Sequence, residues 1–192
     1  MNAPLAKVAT AIFDTTRAPE WVEDLEKATL VRWVSGTEYI EYDHINTPFV
    51  MKDRDFVSSV KILIEKPAQD SPVLKFVYHS AEDPARPPTR FVRGNLMSTT
   101  FILTSLENDT KTHVIGEVHA DPMGSVPKWI VNFFQKDWPI DTLQGLRKQV
   151  AKADVKTDPR FTALLTAATE NQAVPVPVSA TPYRASPKTK SQ

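Results

Sequence analysis

Acidic and imidazole side chains alternate along residues 113–121, in the pattern of this sequence that most resembles a chemical site. Glu117, His119 and Asp121 occupy every second position, and His113 has the same parity. On a β-strand these side chains share one face, where imidazole and carboxylate groups are suitable metal ligands. The solvated face of an antiparallel sheet shows the same alternation, and we favour this second interpretation. We therefore expect no metal site here.

The sequence has no local signature of a catalytic centre or a cofactor. It lacks a nucleophile elbow and a zinc-binding helix motif, and the absence of cysteine excludes thiolate chemistry and disulfides. The 5 glycines are too scattered to form a phosphate-binding loop. Lys plus Arg and Asp plus Glu number 23 each, so the net charge of zero argues against a nucleic-acid partner. We expect no cofactor and no nucleic acid.

The apolar runs are too short to cross a bilayer, which predicts a soluble chain. We expect a cytoplasmic location for the sequence as given, and a secreted or periplasmic one if a signal segment precedes Met1. Residues 171–192 are rich in proline, alanine and hydroxyl side chains, a composition that predicts a disordered tail. A short helix is expected within residues 155–170, with Asp158 as its cap.

The rest of the chain divides into helical ends and a strand-rich middle. The apolar spacing predicts two short amphipathic helices, over Pro4–Asp14 and Pro19–Lys27. From Thr29 to Asp121 the period falls to two, with short links, which predicts an antiparallel meander. A long helix is then expected from Pro127 to Lys152.

A long apolar helix after such a meander needs a large apolar surface beneath it. We therefore predict an α+β helix-grip fold, in which a curved antiparallel sheet wraps around the long C-terminal helix. This arrangement encloses a cavity for a hydrophobic ligand as readily as it forms a solid core. The pattern alone leaves both outcomes open.

A family resemblance rests on motifs that follow one another between residues 3 and 152. They are DTTRAPEW at 14–21, RDFV at 54–57, FVRG at 91–94 and DPMGSVPKWIVN at 121–132, followed by Leu146, Arg147 and Lys148. In this order and spacing they resemble the steroidogenic acute regulatory-related lipid-transfer (START) domain family. The resemblance implies a lipid-binding domain over residues 1–154 that lacks the family's N-terminal helix and first strands. An internal start, a truncation or a shortened form would each explain this, and would leave a strand edge exposed.

The resemblance implies that the protein binds one hydrophobic lipid, of the sterol, phospholipid or fatty acid class, and transfers it between membranes. Lipid would enter between the C-terminal helix and the loop at residues 66–72. The expected partners are thus the lipid and, transiently, a membrane surface, with the protein a monomer. We expect no enzyme, although cyclases and aromatases share the fold. An enzyme would use Glu41, His113 and Arg93 as acid, base or oxyanion partner, and a lipid-sensing regulatory module would have the same sequence.

The predicted site is built around a strand at residues 55–65, where alternation places the even-numbered side chains inward. In the resemblance, cholesterol-binding members have a buried acid and an arginine, which fall here at Glu41 and Val60, so the acid lacks its usual partner. Glu41 would then pair with His113 or Arg93 or face water, and in the last case Ile40 and Tyr42 would point inward. The residues expected to bind lipid are Glu41, Phe56, Ser58, Val60, Ile62, Arg93 and His113, with Trp129 and Phe133 lining or capping the opening unless they only pack in the core.

Overall fold

The computed structural model describes residues 1–47, 51–65, 72–127, 131, 136 and 138–170. In this part of the chain one sheet has the strand order β1-β2-β3-β4-β6-β7, with antiparallel neighbours, and β5 pairs in parallel with the start of β3. The strands are β1 (Leu25–Ser35), β2 (Glu38–Ile45), β3 (Arg54–Glu65), β4 (Val73–Ser80), β5 (Val92–Arg93), β6 (Asn95–Leu106) and β7 (Lys111–Asp121). The helices are α1 (Leu5–Phe13), α2 (Trp138–Ala151) and α3 (Pro159–Thr169). The predicted α+β meander is confirmed.

The second N-terminal helix, expected over Pro19–Lys27, was a wrong prediction. A single 3₁₀ turn, Ala18–Glu20, is present, and β1 already begins at Leu25. Asp24 adopts a positive φ of 60°, which ends the turn and directs the chain into the sheet. The apolar residues that gave helical spacing are therefore divided, with Trp21 in the main core and Leu25 at the start of the strand.

Helix α1 lies on the concave face of the sheet and is buried on almost every side. Its sequence, LAKVATAIF, is apolar around nearly the whole helix, which suits a helix enclosed by protein rather than one facing solvent. It packs against α2, α3 and β6. The interior of the curved sheet is thus filled in part by α1, with Phe76, Leu103, Leu146 and Phe161 around it.

The convex face of the sheet is also covered over part of its area. Ile40, Tyr42 and Val57 form a buried cluster there. The Arg86 guanidinium lies 4.8 Å from the centre of the Tyr42 ring, and the Phe91 ring stacks on His44 at 4.2 Å. The chain between β4 and β5 therefore covers this side of β2.

Helix α2 closes the concave face and lies directly against the turn before β1. A Cβ atom at Gly145 would lie 2.1 Å from the Trp21 carbonyl oxygen, so only glycine permits this approach. The carboxylate of Glu20 accepts hydrogen bonds from Gln149 at 3.2 Å and Lys152 at 2.8 Å. Its pKa is lowered to about 2, mainly by the hydrogen bond from Arg17 and further by those from Lys152 and Gln149. Glu20 thus holds α2 against the N-terminal part of the chain.

The start of the predicted C-terminal helix is described only in part. Val131 donates a backbone hydrogen bond to the Pro127 oxygen at 3.2 Å, and residues 131 and 136 are helical. Trp129 and Phe133 lie outside the described residues, as do residues 66–71 of the predicted entry loop and the predicted tail at 171–192.

Candidate functional site

Polar side chains collect at one end of the concave face. Tyr39, Glu41 and Asp43 alternate along β2, so their side chains share one face of the strand. Ser58 on β3 lies opposite Glu41, and Tyr78 on β4 lies opposite Val60, which itself lies opposite Tyr39. Tyr39, Glu41, Asp43, Ser58 and Tyr78 are called the polar end below.

Several polar atoms of this group are buried without a protein partner. Tyr39 and Ser58 are 0% exposed and Glu41 is 7% exposed. Within the described residues, no hydrogen bond of good geometry reaches the Tyr39 hydroxyl, the Ser58 hydroxyl, Glu41 Oε2 or Asp43 Oδ1. Tyr39 nevertheless lies close enough to Glu41 and Tyr78, and Glu41 close enough to Asp43, for these groups to affect one another's pKa through strained hydrogen bonds. Ser58 is thus the group of the polar end with no partner at all in the described part of the chain. Each unsatisfied buried group costs about 1–3 kcal/mol. A molecule bound here would recover part of that cost by supplying the missing hydrogen bonds.

Burial also changes how the two carboxyl groups of the polar end titrate. Burial raises the pKa of Glu41 well above its ordinary value of 4.5, and the neighbouring Asp43 carboxylate raises it further. Burial raises the pKa of Asp43 from 3.8 to about 7. Near neutral pH the pair therefore holds at least one proton for much of the time.

The concave face becomes apolar beyond the polar end. Val60 and Ile62 continue the inner face of β3, and Phe76, Phe101 and Leu103 extend the same surface across β4 and β6. Trp21 Nε1, Thr99 Oγ1 on β6 and Thr142 Oγ1 on α2 are further buried polar atoms without a partner in the described protein. The interior thus combines an apolar wall with a small number of unpaired polar groups, the usual composition of a ligand pocket.

The structure brings only some of the predicted site residues together. Glu41, Phe56, Ser58, Val60 and Ile62 are all buried, and the register places them on one face of the sheet. The alternative with Ile40 and Tyr42 on the inside is therefore wrong, because these two side chains belong to the convex cluster.

The partners expected for Glu41 lie elsewhere. Arg93 is on the opposite face, where its Nε and Nη2 atoms donate to the two oxygens of Asp55 at 2.7 and 3.2 Å. His113 is exposed on β7, between the inward positions Thr112 and Val114. Neither side chain pairs with Glu41, so the expected Glu41–Arg93 and Glu41–His113 pairs do not form.

The arginine–aspartate–phenylalanine motif organises the frame beside the polar end. Arg54 is 5% exposed and donates to the carbonyl oxygens of Lys52, Pro122 and Met123. Burial alone would raise the pKa of Asp55, but the ion pair with Arg93 and the Thr89 hydrogen bond outweigh it and lower the pKa. The motifs of residues 54–57, 91–94 and 121–124 are thus bonded to one another.

The alternating polar residues of β7 lie on the solvent side. Glu117, His119 and Asp121 are exposed. In the described ranges, no three histidine, aspartate or glutamate side chains come together as metal ligands. The solvated-face interpretation accounts for this strand.

Comparison with known proteins identifies the family. The family model of the START domain matches residues 1–154, most of the chain. This chain belongs to the START domain family. A curated relative, an uncharacterized protein from Pseudomonas aeruginosa, is 26% identical over 155 residues, which are 79% of this chain and 72% of the relative.

Solved structures confirm that the START domain has the predicted helix-grip fold. Human StAR-related lipid transfer protein 5 superposes with a TM-score of 0.67 at 20% identity, over 78% of this chain and 71% of that one. A fragment of the STAR-related lipid transfer protein from Xanthomonas axonopodis superposes with a TM-score of 0.62 at 21% identity. The match covers 79% of this chain and 82% of that fragment. Human STARD10 superposes with a TM-score of 0.68 at 19% identity, over 79% of this chain. This chain spans 60% of the STARD10 structure. None of the helices in the described ranges is both long and apolar enough to cross a membrane.

Replacing Asp43 with asparagine is expected to stabilise this START domain as the pH rises. The folded-state pKa of about 7 exceeds the ordinary 3.8, so the stabilisation from proton uptake is complete below pH 3.8 and is lost as the pH rises towards 7. An asparagine side chain at this position cannot ionise and avoids this loss. Chemical denaturation should give Asp43→Asn an advantage over the parent of roughly 1–3 kcal/mol at pH 8, and much less at pH 4.

Glu117→Gln provides the matched control because Glu117 is exposed on the outer side of β7. Its unfolding free energy should follow that of the parent at both pH values. If the difference between Asp43→Asn and the parent were the same at pH 4 and pH 8, the raised pKa of Asp43 would be refuted.

Proposed function

We propose that this START domain binds one amphiphilic lipid on its concave face and carries it between membranes. The observation that carries the proposal is the polar end, where Ser58, Tyr39 and Glu41 hold buried polar atoms without a well-formed hydrogen bond among the described residues. An apolar wall that includes Val60 and Ile62 continues from it. A lipid would place its polar group against the first and its chain or ring system against the second, with burial worth about 25 cal/mol per Å².

Release at a membrane requires the helix that closes the concave face to separate from it. In this protein α2 is held by Glu20, which binds both Gln149 and Lys152, and by the Trp138 indole, which donates to the Glu23 oxygen at 3.0 Å. The Lys152 and Trp138 contacts lie at the protein surface, where hydrogen bonds and ion pairs are weak, whereas the Gln149 side chain is buried. They suit a helix that docks firmly in water and is displaced at a lipid surface.

The first test is native mass spectrometry of freshly purified protein, followed by solvent extraction of whatever accompanies it. We expect one lipid molecule per chain. The loaded protein should then move a labelled lipid of that kind from donor to acceptor vesicles. Binding without transfer would favour a lipid-sensing module, and an empty protein that no lipid loads would contradict the proposal.

A pair of substitutions on β3 tests where the lipid lies. Val60→Phe adds volume on the concave face, where Val60 is 0% exposed, and should reduce the amount of bound lipid at least about fivefold. Leu63→Phe is the control, since Leu63 is 43% exposed on the other face. Loading is measured on protein whose folding has been verified by circular dichroism. Equal loading of the two variants would remove β3 from the site.

An enzyme of the cyclase type is the second candidate, and the pKa of Asp43 favours it. A carboxyl group with a pKa of about 7 is poised to accept and donate protons at neutral pH. The two candidates differ in turnover. A carrier returns the extracted lipid unchanged, whereas an enzyme converts many molecules per chain, and Asp43→Asn would abolish that conversion.

A further inference from the structure

The polar end contains two carboxyl groups and phenols, and this composition restricts the ligand. Glu41 and Asp43 both face the interior, and their unpaired oxygens are hydrogen-bond acceptors whenever the carboxyl is ionised. The groups in the described chain that affect the pKa of Glu41 are Asp43 and Tyr39, with no cation among them. Arg93, the counter-charge that the sequence suggested for Glu41, is instead paired with Asp55 on the other face.

The unpaired hydroxyls show that the acids are part of a binding surface rather than an isolated acidic pair. Ser58 is 0% exposed on the inner side of β3, and its hydroxyl has no partner in the described protein. Tyr39, also 0% exposed, makes no hydrogen bond of good geometry within the described residues, although it lies close to Glu41 and Tyr78. Hydroxyl groups bind donors and acceptors alike, so they do not discriminate between lipids. The carboxylates do, because a buried negative charge repels an anion and attracts a cation or a hydrogen-bond donor.

We infer that this site selects amphiphiles whose polar end donates hydrogen bonds or carries a positive charge, and rejects those that end in an anion. The inference rests on the proposed function, since it names the class of lipid for the same site. A long-chain amine or alcohol can donate to the ionised member of the Glu41–Asp43 pair, while the other member keeps its proton. A long-chain carboxylate cannot donate, and it places a second negative charge beside the one that the pair already carries.

Three ligands that share one chain length and differ in their polar group show how much the polar group alone contributes to affinity. Dodecylammonium, 1-dodecanol and dodecanoate are each titrated into the full protein by calorimetry at pH 8, below the concentration at which they aggregate. We expect the amine and the alcohol to bind at least about tenfold more tightly than the carboxylate. In the double variant Glu41→Gln, Asp43→Asn the three affinities should converge to within about threefold.

The control is Glu117→Gln, which removes one negative charge from an exposed position on the far side of β7 and should leave the selectivity of the parent intact. Dodecanoate binding as tightly as the other two would overturn the inference and leave lipid binding in place. Saturable binding of none of the three would overturn both. Because amides remove the cost of ionising buried groups, we expect the double variant to fold, and Asp43→Asn alone provides a milder second test.

Discussion

Replacing Asp55 with alanine is expected to lower the unfolding free energy by about 3–5 kcal/mol, a loss typical of breaking a buried ion pair from one side. Asp55 is 0% exposed, and its oxygens accept hydrogen bonds from Arg93 at 2.7 Å and Thr89 at 2.8 Å. Without the carboxylate, the Thr89 hydroxyl and the half-buried Arg93 guanidinium, whose side chain is 31% exposed, both lose their acceptor. Chemical denaturation measures the loss directly.

The Glu65–Lys75 pair is the control for this substitution. Its atoms are as close, at 2.7 Å, but the Glu65 side chain is 54% exposed, so Glu65→Ala should change stability by less than about 1 kcal/mol. A loss at Asp55 no larger than that at Glu65 would contradict the framework role of the motif.

A substitution at the other end of this ion pair tests the prediction that Arg93 contacts lipid. The ion pair with Asp55 lies on the convex side, so Arg93→Met should reduce stability while the folded fraction keeps the ligand affinity of the parent. A loss of affinity in fully folded Arg93→Met would instead support a direct role in binding. The structure favours the first outcome because the polar end lies on the other face of β2 and β3.

The sequence predicts the strands well because the meander keeps a period of two. It also selects Glu41 through the resemblance, and the strand register places this buried side chain on the concave face. Tyr39 and Asp43 were missed, although their parity along β2 is that of Glu41 and was the available signal. What the sequence lacks is the depth of each side chain, and depth is what raises the pKa of Asp43 to about 7.

The uncertain orientation of β2 has a physical cause. Alternation of apolar and polar residues identifies the inner face of a strand only when the other face is exposed to solvent. Here Ile40 and Tyr42 are buried on the convex side by the chain that follows β4. Arg86 covers the Tyr42 ring, a contact between residues far apart in the sequence. Such long-range covering leaves no local period, so the pattern alone could not assign the faces. The prediction of a second N-terminal helix was wrong for a related reason. The apolar spacing was helical, but Asp24 adopts a positive φ and turns the chain into the sheet.

The segment after the family match forms α3, and its role in the core could not be read from the sequence. Asp158 caps the helix by accepting from the Arg160 amide, while its own amide donates to the Thr10 hydroxyl of α1 at 2.8 Å. The Arg160 guanidinium lies 4.4 Å from the centre of the Phe13 ring. An adjacent apolar pocket of about 280 Å³ is lined by residues of α3, α1, the β1–β2 hairpin and β3. Helix α3 therefore completes one wall of the apolar interior.

Replacing Phe161 with alanine is accordingly expected to lower the unfolding free energy by about 3–5 kcal/mol. Phe161 is 2% exposed, and its ring centre lies 5.7 Å from that of Phe13 and 5.9 Å from that of Phe76. Removal of the ring leaves a cavity that continues the existing apolar pocket. The variant should therefore bind a small aromatic probe such as benzene, which restores part of the lost stability by binding only the folded state.

Thr162→Ala is the control for helix α3 itself, because Thr162 is exposed at the neighbouring position. This substitution slightly improves helix propensity and should change stability by less than about 0.5 kcal/mol. If α3 merely rested on the domain, Phe161→Ala would cost no more than Thr162→Ala. A large difference in stability between the two variants requires that residues beyond the family match supply part of the core. A START domain ending at residue 154 would then expose the apolar side of α1 and β3 that Phe161 covers.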